Sequence, residues 1–220
     1  MKQFQLLLLT FIFCSVFTTL QAQTYRKNFN KKQQGDWFLG IGFNTVSDSG
    51  KGKLADIFGG KNGNFSNPFI LQGEYFTNKN FSIQARLSFN NYKSGKIIDS
   101  RTIQQGDEPS YLAIDFNSKY HFAQLIHSNV LEPFVVAGIG YTTIKSYTAL
   151  NETVPVPTVG RVTINTGVGT NYWFTKNWAI QVDVLGKFGL KSEKNSAYIT
   201  GQTQFTVGTV YRLTTKRRYY

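Results

Sequence analysis

In the stretch Trp178-Ala179-Ile180-Gln181-Val182-Asp183-Val184-Leu185-Gly186-Lys187-Phe188, the largest apolar side chains fall on even positions and both charges on odd ones. A period of two marks a β-strand with two chemically different faces, whereas an amphipathic helix repeats at about 3.6 residues. The pattern holds over residues 178–190, and it recurs outward from there.

Seven further segments carry the same period. Residues 36–46 place Trp37, Leu39, Ile41 and Phe43 on one face, and 68–77 place Phe69, Leu71 and Tyr75. Residues 81–93 contribute Phe81, Ile83, Ala85, Leu87 and Phe89, and 110–122 contribute Leu112, Ile114, Phe116 and Tyr120. Val135, Ala137, Ile139 and Tyr141 follow in 131–144, then Val162, Ile164, Val168 and Tyr172 in 159–174. The last, 202–213, carries Phe205, Val207, Tyr211 and Leu213. Connections 78–80, 123–130 and 175–177 are short, 47–67, 94–109 and 145–158 are long, and 191–201 is intermediate. Eight strands in this rhythm predict an all-β fold, an eight-stranded antiparallel up-and-down barrel. Short turns at one end and long loops at the other are the habit of bacterial outer-membrane barrels.

Alternation alone also fits a lipocalin, which points its apolar face inward. The polar face separates the two. It holds Gly40, Gly42, Gly138, Gly140, Gly167, Gly169 and Gly208 with Ser82, Gln84, Asn117, Thr163 and Asn165. A water-facing surface is normally dense in Lys and Glu, whereas small residues suit a narrow lumen. The charges Glu74, Arg86, Asp115, Lys119, Asp183, Lys187 and Arg212 all share that parity. On a lipid face near mid-bilayer a cation would cost about 2–4 kcal/mol. Acids and bases mixed inside a tight barrel can instead pair. At one end of the apolar face stand Trp37, Tyr75, Phe81, Tyr120, Tyr172, Trp178 and Tyr211; toward the other stand Phe43, Phe69, Phe89, Tyr141, Phe188 and Phe205. Two aromatic rings around an aliphatic band predict a transmembrane barrel with these residues at the two interfaces.

The 220-residue chain begins with Lys2 and an apolar run to Leu20, then Leu20-Gln21-Ala22, the layout of a secretory signal peptide. The expected organisation is a signal peptide at 1–22, a basic periplasmic segment at 23–35, the barrel at 36–213 and a basic periplasmic tail at 214–220. Cys14, the single cysteine, falls in the signal segment, so the mature chain is expected to hold no disulfide or thiolate metal site. The net charge of +12 could suggest nucleic acid. Its clusters, however, fall before the first strand (Arg26, Lys27, Lys31, Lys32), after the last (Lys216, Arg217, Arg218), and in loops (Lys51, Lys53, Lys61, Lys93, Lys96, Arg101). The two terminal clusters read equally as solvated tails or as contacts with anionic phospholipid headgroups or the cell wall, and the loop cluster as a contact with lipopolysaccharide phosphates, rather than as a nucleic-acid surface. His121 and His127, the only histidines, flank one short turn and read as interfacial or turn residues. Neither Gly138-x-Gly140 nor Gly167-x-Gly169 has the third glycine and helix of a dinucleotide loop. No catalytic residue, cofactor or metal is expected.

The segment 133–141 (Pro-Phe-Val-Val-Ala-Gly-Ile-Gly-Tyr) resembles the P-aromatic-x-x-x-G-x-G-Y strand of small outer-membrane barrels of the OmpA/OmpX type. Residues 167–172 and 177–184 are similar to that family's sixth and seventh strands. Thr206, Gly208, Tyr211 and Leu213 resemble the last-strand signal read by the barrel-assembly machinery, although here seven residues, 214–220, follow it. The peptidoglycan-binding domain that OmpA carries is not expected within this sequence, so that role is not carried over. The resemblance implies outer-membrane residence with both termini periplasmic. The expected function is structural or interactive, among outer-membrane lipids and possible envelope partners, with the lumen filled. The alternatives are a narrow channel for small solutes and, third, a lipid-modifying enzyme.

Overall fold

The computed structural model describes residues 34–48, 66–98, 101–123, 126–128, 130–190 and 201–213. The expected signal peptide, most of the basic segment before the first strand and the tail lie outside them. Strands β1 (Trp37–Ser47), β2 (Phe69–Phe76), β3 (Phe81–Asn91), β6 (Ser110–His121), β7 (Leu131–Ile144), β8 (Val159–Trp173), β9 (Trp178–Gly189) and β10 (Gln202–Leu213) close one antiparallel barrel. Each expected strand is present within two residues at either end. Neighbours in sequence are neighbours in the sheet, and β1 meets β10 from Trp37↔Leu213 to Ser47↔Thr203.

The barrel is inverted relative to a water-soluble one. Ile139 is 60% exposed, while Lys119 and Lys187 are 0% exposed. Along β9 the even residues point outward and the odd residues from Ala179 to Lys187 are buried. Each short turn is closed by a side-chain oxygen that takes two backbone N–H groups, which is why Asn, Thr and Ser stand there. Asn78 Oδ1 accepts from Asn80 and Phe81, Ser128 Oγ from Val130 and Leu131, and Thr175 Oγ1 from Asn177 and Trp178.

At the other end two of the long connections are not open loops. Strands β4 (Ile97–Ile98) and β5 (Arg101–Thr102) form a hairpin across the mouth. The bridge Ile103↔Ala149 ties this pair to the 145–158 connection, Asp48↔Ile98 ties it to the end of β1, and Tyr147↔Val156 folds the 145–158 connection on itself. Beneath it Val46, Tyr92, Ile98, Ile103, Tyr111, Ile144, Tyr147 and Val156 pack into an apolar cap. At the opposite end Phe38, Phe76, Trp173, Ala179 and Val210 form a second apolar plug. The inward face is thus apolar at both ends, and between them polar and charged residues surround a smaller apolar cluster of Phe134, Val136 and Leu185.

Glycine supplies the room that this filling needs. Gly42 and Gly208 are paired across the closing seam. A Cβ on Gly42 would lie 2.6 Å from the Val207 carbonyl oxygen and 2.7 Å from Gly208 Cα, both backbone atoms that cannot rotate away. A Cβ on outward-facing Gly73 would meet nothing within 4 Å. Gly42→Ala should therefore cost about 1–3 kcal/mol, and Gly73→Ala should stay within about 0.5 kcal/mol. Urea unfolding of the refolded barrels, followed by tryptophan fluorescence, measures both.

Candidate functional site

The lumen carries the chemistry of this fold, and it is built in layers. At its centre Arg86 of β3 reaches across to Asp183 of β9 with two parallel bonds, Nη1 to Oδ1 and Nη2 to Oδ2, each 2.8 Å. This fork matches planar guanidinium to planar carboxylate, which a lysine could not do. Gln181 Nε2 donates to the same carboxylate at 2.6 Å, Gln72 donates to Gln181, and Gln84 donates to Gln72. The amides thereby join β2, β3 and β9 around the ion pair.

Toward the cap, Lys187 Nζ lies 2.7 Å from Asp115 Oδ2, and Asn165 donates to the other oxygen of that carboxylate at 2.9 Å. Gly140 is why Asp115 fits, because a Cβ there would collide with the Asp115 carboxylate. Tyr111 donates to Gln204, and Gln204 donates to Ser88 Oγ at 3.1 Å.

Toward the plug, Glu74 accepts from Lys119 Nζ at 2.8 Å and from the Ser82 hydroxyl at 2.6 Å. His121 stands between two carboxylates: Nε2 is 3.1 Å from Glu74 Oε1, and Nδ1 is 2.8 Å from Glu132 Oε1. The ring is thus held within ion-pair distance of two acidic side chains. Glu132 also accepts from the Trp173 indole N–H at 2.6 Å, which links the charge cluster to the apolar plug. Arg212 lies over the rings of Trp173 (4.5 Å) and Phe38 (5.3 Å).

All seven charges singled out from the sequence point inward, and six of them form three ion pairs. The seventh, Arg212, stacks on the plug. The thirteen aromatics all point outward. Trp37 contacts Tyr75 at 5.0 Å and Trp178 contacts Tyr211 at 4.7 Å at one end, and Phe69 contacts Phe89 at 6.4 Å toward the other. Thr206, Gly208, Tyr211 and Leu213 lie on β10, which pairs with both β9 and β1.

His121 corrects the expectation placed on it. It is neither interfacial nor in the turn but buried in the lumen, because it shares the parity of Asp115, Asn117 and Lys119. Glu132, not singled out from the sequence, completes its surroundings. His127 does sit in the turn, with φ of 50°. Ser82, His121 and Glu132 stand in the order of a hydroxyl–imidazole–carboxylate relay, which activates a nucleophile only where substrate can reach it. Here all three are buried, and the Ser82 hydroxyl donates its hydrogen bond to Glu74. Among the described residues no group of three His, Cys, Asp or Glu is arranged to hold a metal. The basic loop residues Lys51, Lys53 and Lys61 lie outside the described residues; Lys93 is exposed, Arg101 lies 3.6 Å from Glu152, and burial together with nearby Lys93 holds the Lys96 amine below its usual range.

The central pair is the energetic test of the lumen. Arg86→Met alone strands the Asp183 carboxylate and should cost about 3–5 kcal/mol. Arg86→Met with Asp183→Leu should recover most of that loss or exceed wild-type stability. Urea unfolding of the two single variants and the double variant gives the cycle.

No curated protein matches the chain. In contrast, 54 solved chains match its fold. A major outer membrane protein from Thermus thermophilus matches at TM-score 0.56 and 10% identity, covering 82% of this chain and 100% of its own. The outer membrane protein OprG from Pseudomonas aeruginosa matches at 0.53 and 11%, covering 84% and 98%. The N-terminal β-barrel domain of Pseudomonas aeruginosa OprF matches at 0.50 and 17%, covering 83% and 100%. At these identities the likeness is one of fold. The family model for the outer membrane protein β-barrel domain matches residues 9–212. That match spans nearly the whole chain, and the chain belongs to the outer membrane protein β-barrel family.

Proposed function

We propose that this protein is a closed, non-conducting element of the outer membrane, a structural wall with a capped outer surface for interaction, and not an enzyme. The observation that carries this reading is the filling of the lumen. Apolar cap, ion-paired middle and apolar plug stand in series, and an eight-stranded barrel is only wide enough for side chains to occupy it. A small-solute channel would have to displace all three layers, including a buried bidentate ion pair. Catalysis at Ser82 and His121 would have to open the same layers to admit substrate.

In this reading the outward aromatics sit at the two membrane interfaces. The end bearing the short turns and both chain termini faces the periplasm. The strand residues Thr206, Gly208, Tyr211 and Leu213 serve the barrel-assembly machinery during biogenesis. The outer lysines and Arg101 contact lipopolysaccharide phosphates, and envelope proteins are the class of partner for the cap.

Planar-bilayer recording of the purified, refolded protein tests the closed state. The expected result is an unbroken baseline with no reproducible unit conductance. Stable conductance steps of one size, scaling with the amount of protein added, would overturn it.

A further inference from the structure

The outward belt is not smooth. At the seam between β1 and β10 it holds a cleft of about 350 Å³, walled by Ile41, Phe43, Phe69, Ile180 and Val207 and floored by Thr209. The register explains its position. Thr209 pairs with Ile41 on one side and with Ile180 on the other, so a short side chain stands between two long ones. Phe43 and Phe69 rise beside it, both outward and exposed.

Gly42 and Gly208, paired across the seam, also line the cleft. A Cβ on Gly208 would lie 2.5 Å from the Ile41 carbonyl oxygen, so the two strands meet here with bare backbone.

We propose that this cleft is a binding site for one acyl chain of a membrane lipid, held longer than the lipids around the rest of the barrel. The inference rests on the membrane-spanning reading given above. The lining is almost wholly carbon, which excludes a headgroup or other polar ligand. The cleft opens sideways and is continuous with the apolar belt that faces hydrocarbon. An unfilled cleft forfeits dispersion contacts along its walls. A flexible chain can fill it without the shape match that a second barrel would need, and between two barrels in lipid there is no water to expel.

Native mass spectrometry of the barrel released from nanodiscs of palmitoyl-oleoyl phosphatidylethanolamine and phosphatidylglycerol tests the site. Wild type and the near-isosteric Thr209→Val should each keep one lipid more than Thr209→Phe, which fills the cleft. Val168→Phe, outward on β8 and away from the cleft, should keep the wild-type number. Val207→Trp fills the cleft from the next outward position, and it decides the matter if Thr209→Phe does not fold. Equal lipid numbers in filled and unfilled variants would overturn the site, as would a wild-type dimer that carries no lipid. Failure of the folded wild type to enter nanodiscs would instead overturn the membrane reading on which the site depends.

Discussion

A charge inside a narrow barrel has almost no water to fall back on, so it must find its partner in the wall opposite. The fork between Arg86 and Asp183 is the clearest instance, and much of the lumen is arranged around it. Burying either group alone would be far more costly than their attraction returns. Together, and with Gln181 taking up the remaining acceptor capacity, they form a layer that holds β3 and β9 at one separation. Lys187 with Asp115 above, and Lys119 with Glu74 below, repeat the arrangement on neighbouring strands.

The other features follow from the space this arrangement needs. Glycines stand where a Cβ would meet a filling group: Gly140 against the Asp115 carboxylate, Gly40 against the Gln72 side chain, Gly169 against the Phe134 ring. They are spacers, not a nucleotide loop. The ends of the lumen, where side chains must seal against water, change to apolar residues. Trp173 belongs to both regimes, with its ring in the plug and its N–H on Glu132. The barrel is therefore filled by complementary parts in series, and its closure and its stability have the same origin.

Much of this was legible in the sequence because a strand writes its two faces in alternate positions. β9 displays its outward face in Trp178, Ile180, Val182 and Val184, and its inward charges in Asp183 and Lys187. What was not legible depends on distance along the chain. Arg86 and Asp183 are 97 residues apart, and nothing local pairs them. The cap was hidden for the same reason, since Ile98, Ile103, Tyr147 and Val156 lie in stretches with no strand period. His121 was different. Its parity placed it inside, but proximity to the turn at 123–130 outweighed that signal. Glu132, hidden beside Pro133, became meaningful only once His121 was seen between two carboxylates.

If the lumen is filled as described, a thiol beneath its cap should be unreachable. Ser88 is buried, accepts from Gln204, and tolerates replacement by the isosteric cysteine without changing the volume greatly. In a Cys14→Ser background, Ser88→Cys should resist a small charged methanethiosulfonate reagent from either side for as long as the barrel is folded. Exposed Gln105→Cys should react promptly under the same conditions. Modification of Ser88→Cys at a rate comparable with Gln105→Cys would contradict the closed barrel.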